Sequence, residues 1–222
     1  MAQKSEKMDI DHIFIFSSTK GQEVDRLLDF GFCDGSSRIH PGQGTVNRKI
    51  YFENFFLEIV WVHNESEVKS PNVLKTKLWE RSNFLTNGHS RFGLGFVNTP
   101  DTEELFENSI KYQPDYYSKG SQFDIITNEE NFYLPWTFRV PHVTQNKKAP
   151  EPINHKNGIK KLTRATFDIK APEIENRFTT IIERHSNILF NHGLKNLLTL
   201  EFDKGIQGEI RTIDELSLVI KY

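Results

Sequence analysis

The sequence predicts an α+β protein assembled from repeated units that open as strand then helix. Three observations carry this expectation. A strand-length apolar run followed by a stretch of helical spacing occurs three times, near residues 10, 92 and 162, an internal repeat of structural units rather than a short solenoid period. Further runs rich in β-branched and aromatic residues follow each opening. The chain also has 222 residues, 18 of them Phe, which is enough to bury a sizeable core.

Residues 1–8 are polar and are expected to form a disordered lead-in. In the first unit, 9–62, Ile13 and Ile15 alternate with Phe14 and Phe16 as a strand. Val24, Leu27 and Leu28 recur at helical spacing, and Gly31 is placed to stop that helix. Ile50, Phe52 and the run Phe55 to Val62 give two strands around a tight Glu53-Asn54 turn. Residues 63–90 start polar and continue as a connecting helix over Val73 to Phe84, with Leu74, Leu78 and Trp79 on one side. The middle unit, 91–140, begins with a strand, breaks at Thr99-Pro100-Asp101, and resumes as a helix with Glu103 and Glu104 in its positive first turn. Two strands follow, and Pro135 marks the second as kinked or at an edge. Residues 141–158 carry three prolines and read as a long loop. The last unit, 159–222, supplies a strand, a helix with Pro172 near its start, and two more strands. The first and last units are expected to pair around a site, with the middle unit added or interleaved.

Composition narrows the function. The 28 basic and 30 acidic residues leave a net charge of −2, so no nucleic-acid or anionic-membrane partner is expected. The N-terminus lacks an apolar leader and no run reaches membrane-spanning length, which predicts a soluble, cytoplasmic protein. Cys33 is the single cysteine, so neither an intramolecular disulfide nor a Cys-rich zinc site can form. No P-loop, dinucleotide fingerprint, serine elbow or His-Glu-x-x-His zinc motif appears.

Two places carry chemistry. In HPGQGTVNRKIYFEN, residues 40–54, Gly42 and Gly44 permit a sharp turn, Gln43 and Thr45 offer neutral hydrogen bonds, and Arg48 can grip a carboxylate or phosphate. His40 there is a candidate acid or base. A structural turn, with Asn47 and Arg48 bonding the backbone of neighbouring loops, is the alternative. Polar residues also interrupt two strands, His12 in the first and Glu58 between Leu57 and Ile59. A buried carboxylate protonates or finds a cation, although Glu58 facing solvent or pairing with Arg48 answers the same pattern.

The strand–helix–three-strand order with His12 and Glu58 inside strands resembles a module of the vicinal oxygen chelate superfamily. The His-Pro-Gly-Gln-Gly-Thr run resembles a signature of its glyoxalase-like domain proteins. The resemblance implies repeated βαβββ modules whose curved mixed or antiparallel sheets surround a cup-shaped pocket, usually holding a divalent metal. It places His12 and Glu58 at metal-ligand positions, with donors suited to zinc, nickel, manganese or ferrous iron. It implies a metal-dependent lyase, isomerase or dioxygenase acting on a small oxygenated substrate. Glu58 and His40 are then the catalytic candidates, and Gln43, Arg48, Arg164 and Trp136 the substrate-binding ones. Trp79 and Arg81 join Trp136 as candidates to line the pocket, with a core role as the alternative, and His155 and Asn157 are candidates for its rim.

The later units depart from the family pattern. Arg164 falls opposite His12 in one alignment and glycine in the other, and the last strand has no carboxylate matching Glu58. Two of four expected ligands are therefore missing at the matched positions, leaving His155 and Glu201 as neighbouring substitutes. A metal-free protein that binds or sequesters a small aromatic or amphipathic molecule is the alternative function. Homodimerisation is a further expectation, since such modules often pair across subunits.

Overall fold

A computed structural model describes residues 7–141 and 150–222. Residues 1–6 of the predicted lead-in, and 142–149 of the predicted loop, lie outside the described residues. Met8 is not part of a lead-in: it is buried, and its N–H donates to the His185 carbonyl at 2.7 Å.

The protein is α+β with two mixed sheets. The first unit gives β1 (Ile10–Phe16), α1 (Val24–Asp29), β2 (Ser37–His40), β3 (Thr45–Tyr51) and β4 (Phe56–Val62). Between units, the predicted long helix is instead four short ones, α2 (Glu65–Val68), α3 (Pro71–Leu74), α4 (Leu78–Ser82) and α5 (Phe84–Asn87). Pro71 opens α3, and Lys77 in the left-handed region separates α3 from α4. The middle unit gives β5 (Phe92–Phe96), α6 (Glu103–Phe106), β6 (Ile110–Tyr112), β7 (Phe123–Ile126) and β8 (Trp136–Arg139). The last gives β9 (Leu162–Ile169), α7 (Arg177–His185), β10 (Ile188–His192), β11 (Leu197–Phe202), β12 (Ile210–Ile213) and β13 (Leu218–Lys221). Helix α7 starts after a capping box at Asn176, so Pro172 lies outside it.

Strand pairing corrects the expected assembly. The eight-stranded sheet has the order β2-β3-β4-β1-β5-β8-β7-β6, so the first and middle units, not the first and last, make it. In each unit the opening strand pairs in parallel with the last, β1 with β4 and β5 with β8. The two openings meet antiparallel at the centre, which makes the halves mirror one another in strand order. Strand β8 is therefore interior; Pro135 is tolerated because it precedes the strand and donates no ladder bond. The last unit forms a separate sheet, β10-β9-β11-β13-β12.

Alternation along the central strands decides what each face does. Ile13, Ile15, Leu57, Ile59 and Leu94 point to the outer face and pack with Phe167, Leu198, Leu200 and Ile220 of the second sheet in one core. Phe14, Phe16, Val60, Trp136 and Phe138 share the inner face, where a second cluster lies under α2 to α4. The inner face curls around a cavity. Arg81 on α4 is fully buried beside this layer and donates to the carbonyls of Phe132, Leu134 and Thr127 at 2.6–2.7 Å. It is a structural clamp, outside the cavity. No helix among the described residues is long and apolar enough to cross a membrane.

Candidate functional site

The cup is a cavity of about 210 Å³ with one polar wall and one aromatic wall. The polar wall is built by alternation in three adjacent strands of the first unit. His12 on β1, Thr45, Asn47 and Lys49 on β3, and Glu58 on β4 all face inward. Because Lys49 stands opposite Glu58 in the ladder, Arg48 must face outward. There it pairs with Asp34 at 2.7 Å and Asp25 at 3.1 Å. Arg48 thus holds the outer surface, and its expected place in the substrate site is corrected. Arg164 is likewise elsewhere: it is exposed on β9, in the second sheet, with the last unit behind the cup. Trp136 lines the aromatic wall, its indole N–H donating to the Thr76 carbonyl at 2.6 Å.

A continuous hydrogen-bonded chain runs along the polar wall. Asp11 Oδ2 lies 2.5 Å from His12 Nδ1, and His12 Nε2 lies 3.3 Å from Glu58 Oε2. The other Glu58 oxygen accepts a bond from Asn47 Nδ2. The Arg38 backbone N–H donates to Asn47 Oδ1 at 2.8 Å, which fixes the amide so that its NH₂ faces both Glu58 and His40. His40 Nε2, 3.4 Å from Asn47 Nδ2, is then the acceptor, and His40 Nδ1–H donates to Thr45 Oγ1 at 2.8 Å. Gln43 ties this wall to the opposite side: its Nε2 donates to Thr45 at 2.9 Å and its Oε1 accepts from the Tyr116 hydroxyl at 2.8 Å. Tyr116 stacks on His40 with ring centroids 5.1 Å apart. The glycines of the HPGQGT turn serve this geometry. Gly44 has φ +78°, and a Cβ there would stand 2.3 Å from the Asn64 carbonyl.

Electrostatics separate the two imidazoles. Burial works against a charge on His12, but its hydrogen bonds donated to Asp11 and Glu58, and their charges, outweigh it and favour the protonated ring. Burial likewise opposes charge on Glu58, yet the His12 bond and charge keep it ionised, below the usual carboxylate range. His40 has no such neighbour in contact, and burial lowers its pKa to about 4. Because the folded value of His12 lies above 6.5, its stabilisation is complete below that pH and is lost as pH rises through the folded value. That of Glu58 is present above 4.5 and is lost as pH falls toward its lowered value. The pair therefore stabilises most between those two limits. His40 acts oppositely, removing stability as pH falls from 6.5 toward about 4. In a ¹⁵N-correlated NMR titration, His12 is expected to remain an imidazolium at pH 7 while His40 is a neutral Nδ1–H tautomer. A neutral His12 at that pH would contradict the charge pair.

The opposite wall comes from the middle unit and is aromatic. Its inward positions are Gly93 and Gly95 on β5, Trp136 and Phe138 on β8, with Phe123, Ile125 and Tyr112 beyond. Gly93 is a shape requirement: a Cβ there would stand 2.0 Å from the Phe14 ring. His12 stacks on Phe56, centroids 4.3 Å apart, and meets Phe138 edge-on at 5.0 Å.

This wall decides how a metal would fit. The 3.3 Å between His12 Nε2 and Glu58 Oε2 is the spacing of adjacent ligands around one ion with bonds of about 2.1 Å. The mirrored positions, however, supply only glycine and aromatic rings, and no group of three His, Cys, Asp or Glu able to hold a metal occurs among the described residues. The donor set of the described residues does not fit a four-ligand centre, and His12 and Glu58 face each other as an ion pair. The suggested substitutes do not help. His155 is a structural residue between the layers, accepting from the Cys33 N–H at 3.0 Å and donating to the Tyr51 carbonyl at 2.9 Å. Glu201 lies on β11 of the second sheet beside Thr163.

Sequence reasoning brought His12, His40, Gln43, Glu58 and Trp136 to one cavity. It gave Asn47 only a structural part and passed over Arg38, Tyr112 and Tyr116. The two-residue alternation from Asn47 to Lys49 was the signal that assigns Asn47 inward and Arg48 outward.

The large sheet is two mirrored βαβββ units around a cup, the arrangement that the resemblance to the vicinal oxygen chelate superfamily implies. No family model matches the sequence, and no curated protein matches it. Among solved structures, a hypothetical protein from Staphylococcus aureus is similar with a TM-score of 0.52 at 11% identity, over 96% of this chain and 97% of that one. A mutant of 4-hydroxymandelate synthase from Streptomyces coelicolor is similar with a TM-score of 0.47 at 10% identity, over 97% of this chain and 62% of the synthase. Methylmalonyl-CoA epimerase from Mycobacterium tuberculosis is similar with a TM-score of 0.37 at 13% identity, over 63% of this chain and 91% of the epimerase.

Proposed function

We propose that this protein is a small-molecule enzyme of glyoxalase-like type that acts on a small oxygenated substrate held in the cup. The observation that carries the reading is the buried His12–Glu58 charge pair on the polar wall of a cavity whose opposite wall is aromatic. Burying two charges is costly, and a cup that only sequestered an apolar molecule would have no use for them. Perturbed titratable pairs in clefts are characteristic of functional sites.

The chemistry that suits the pair is proton transfer next to a substrate carbonyl. The His12 imidazolium offers an N–H to an oxyanion as it develops and can protonate it. Turning that N–H to the substrate removes the bond that keeps Glu58 acidic, so Glu58 becomes the stronger base when substrate is bound. Asn47 holds the other carboxylate oxygen and limits how Glu58 can rotate. His40, neutral and fixed as the Nδ1–H tautomer, supports Asn47 from behind.

The test is turnover of a panel of α-keto aldehydes and catechols by the purified chain, before and after chelator, with elemental analysis alongside. Wild-type protein is expected to consume a member of the panel, and Glu58→Gln and His12→Gln to lose roughly 100-fold or more, the scale of general acid–base catalysis. Turnover unchanged in both variants would remove the reading. An ion retained by the wild type and absent from Glu58→Gln would show that two protein ligands suffice. Absence of turnover with chelator-insensitive thermal stabilisation by the same compounds is the behaviour of a binding protein.

A further inference from the structure

We infer that the cup selects a small, flat aromatic molecule bearing one carboxylate, and that Arg38 reads the carboxylate. The inference rests on the small-molecule reading of the cup and names its ligand class. Arg38 sits on β2 at the rim and lines the cavity. Its guanidinium lies over the rings of Tyr116 and Tyr117, 4.8 and 5.7 Å from their centroids. Stacking of this kind, with a hydrogen bond to Tyr117, holds the planar fork in place, and the fork carries five N–H donors, enough to leave a pair for bidentate recognition of a carboxylate. No carboxylate of the described residues pairs with it, whereas Arg48, one strand away, is held by two.

A buried polar group points the same way. Tyr112 lines the cavity, is 3% exposed, and its buried hydroxyl has no partner among the described residues. A polar oxygen on the ligand answers it. Shape supplies the rest. Phe14, Phe123, Trp136 and Phe138 present tilted ring faces and edges that an aromatic ring can meet, and about 210 Å³ is below the roughly 300–1,000 Å³ of pockets that take drug-sized ligands.

The experiment titrates the full chain calorimetrically with benzoate, its neutral amide benzamide, and the non-planar cyclohexanecarboxylate. Benzoate is expected to bind at least about tenfold more tightly than either of the others, a difference of about 1.4 kcal/mol. Arg38→Met is expected to bring benzoate down to benzamide's affinity while leaving benzamide unchanged. Arg48→Met, on the outer surface, is expected to keep the wild-type preference. Equal binding of benzoate and benzamide, or a preference that persists in Arg38→Met, overturns the assignment of Arg38 but leaves the cup as a binding site. Binding of none of the three overturns the small-molecule reading as well.

Discussion

Arg81→Met is expected to lower the unfolding free energy by about 3–5 kcal/mol, the lower part of what three buried carbonyls left unpaired cost at about 1–3 kcal/mol each. The side chain is fully buried, and its guanidinium serves the Phe132, Leu134 and Thr127 carbonyls, all in the segment between β7 and β8. Methionine fills similar space and satisfies none of them, so the loss comes from stranded acceptors rather than from a cavity. For a chain of this size the midpoint of thermal unfolding should fall by roughly 6–20 °C. Guanidinium titration followed by circular dichroism checks it, and a loss below about 1 kcal/mol would mean that the clamp is redundant.

Asn47→Leu is the second large effect, expected to cost several kcal/mol, since buried polar groups left unpaired cost about 1–3 kcal/mol each. Asn47 is 1% exposed and serves three partners, Glu58, His40 and the Arg38 backbone N–H. Its loss should also free His40 to exchange tautomers. The expected signature is a stability loss together with averaged His40 nitrogen shifts, while His12 keeps its proton through Asp11. A His40 that stays locked as the Nδ1–H form would show that Thr45 alone fixes it.

Much of this architecture could be read from residues alone, and the reasons it could not be read throughout are physical. Apolar runs of strand length, rich in β-branched and aromatic residues, placed β1 and β4, and the Glu53-Asn54 turn placed the hairpin partner of β4. The strands β6, β10 and β12 escaped because they are short and partly exposed, with no continuous apolar run. The pairing of units escaped because it is tertiary: Phe92–Phe96 and Leu162–Ile169 open their units with similar patterns, and only long-range packing places the former beside β1. Within the site, His12 and Glu58 stood out as polar residues in apolar strands. Arg48 attracted attention as an exposed-looking cation in a glycine-rich stretch, but the pleat turns it away and leaves Asn47 and Lys49 inside. Arg38 lies in a short strand whose first three residues are exposed, so its role depends on Tyr116 and Tyr117, which are far away in sequence.

The mirrored halves of the large sheet furnish the cup differently. The acids, histidines, lysine and arginine that line it all come from 9–62, while 92–139 contributes mainly aromatic and aliphatic surface. Drift in one half therefore need not disturb the other. Exchanges at Phe123, Ile125, Trp136 or Phe138 reshape the chamber without breaking a bond of the Asp11–His12–Glu58–Asn47–His40 relay. Under the proposed reading, such a partition would let the ligand change through one half of the sheet while the polar wall of the other is kept.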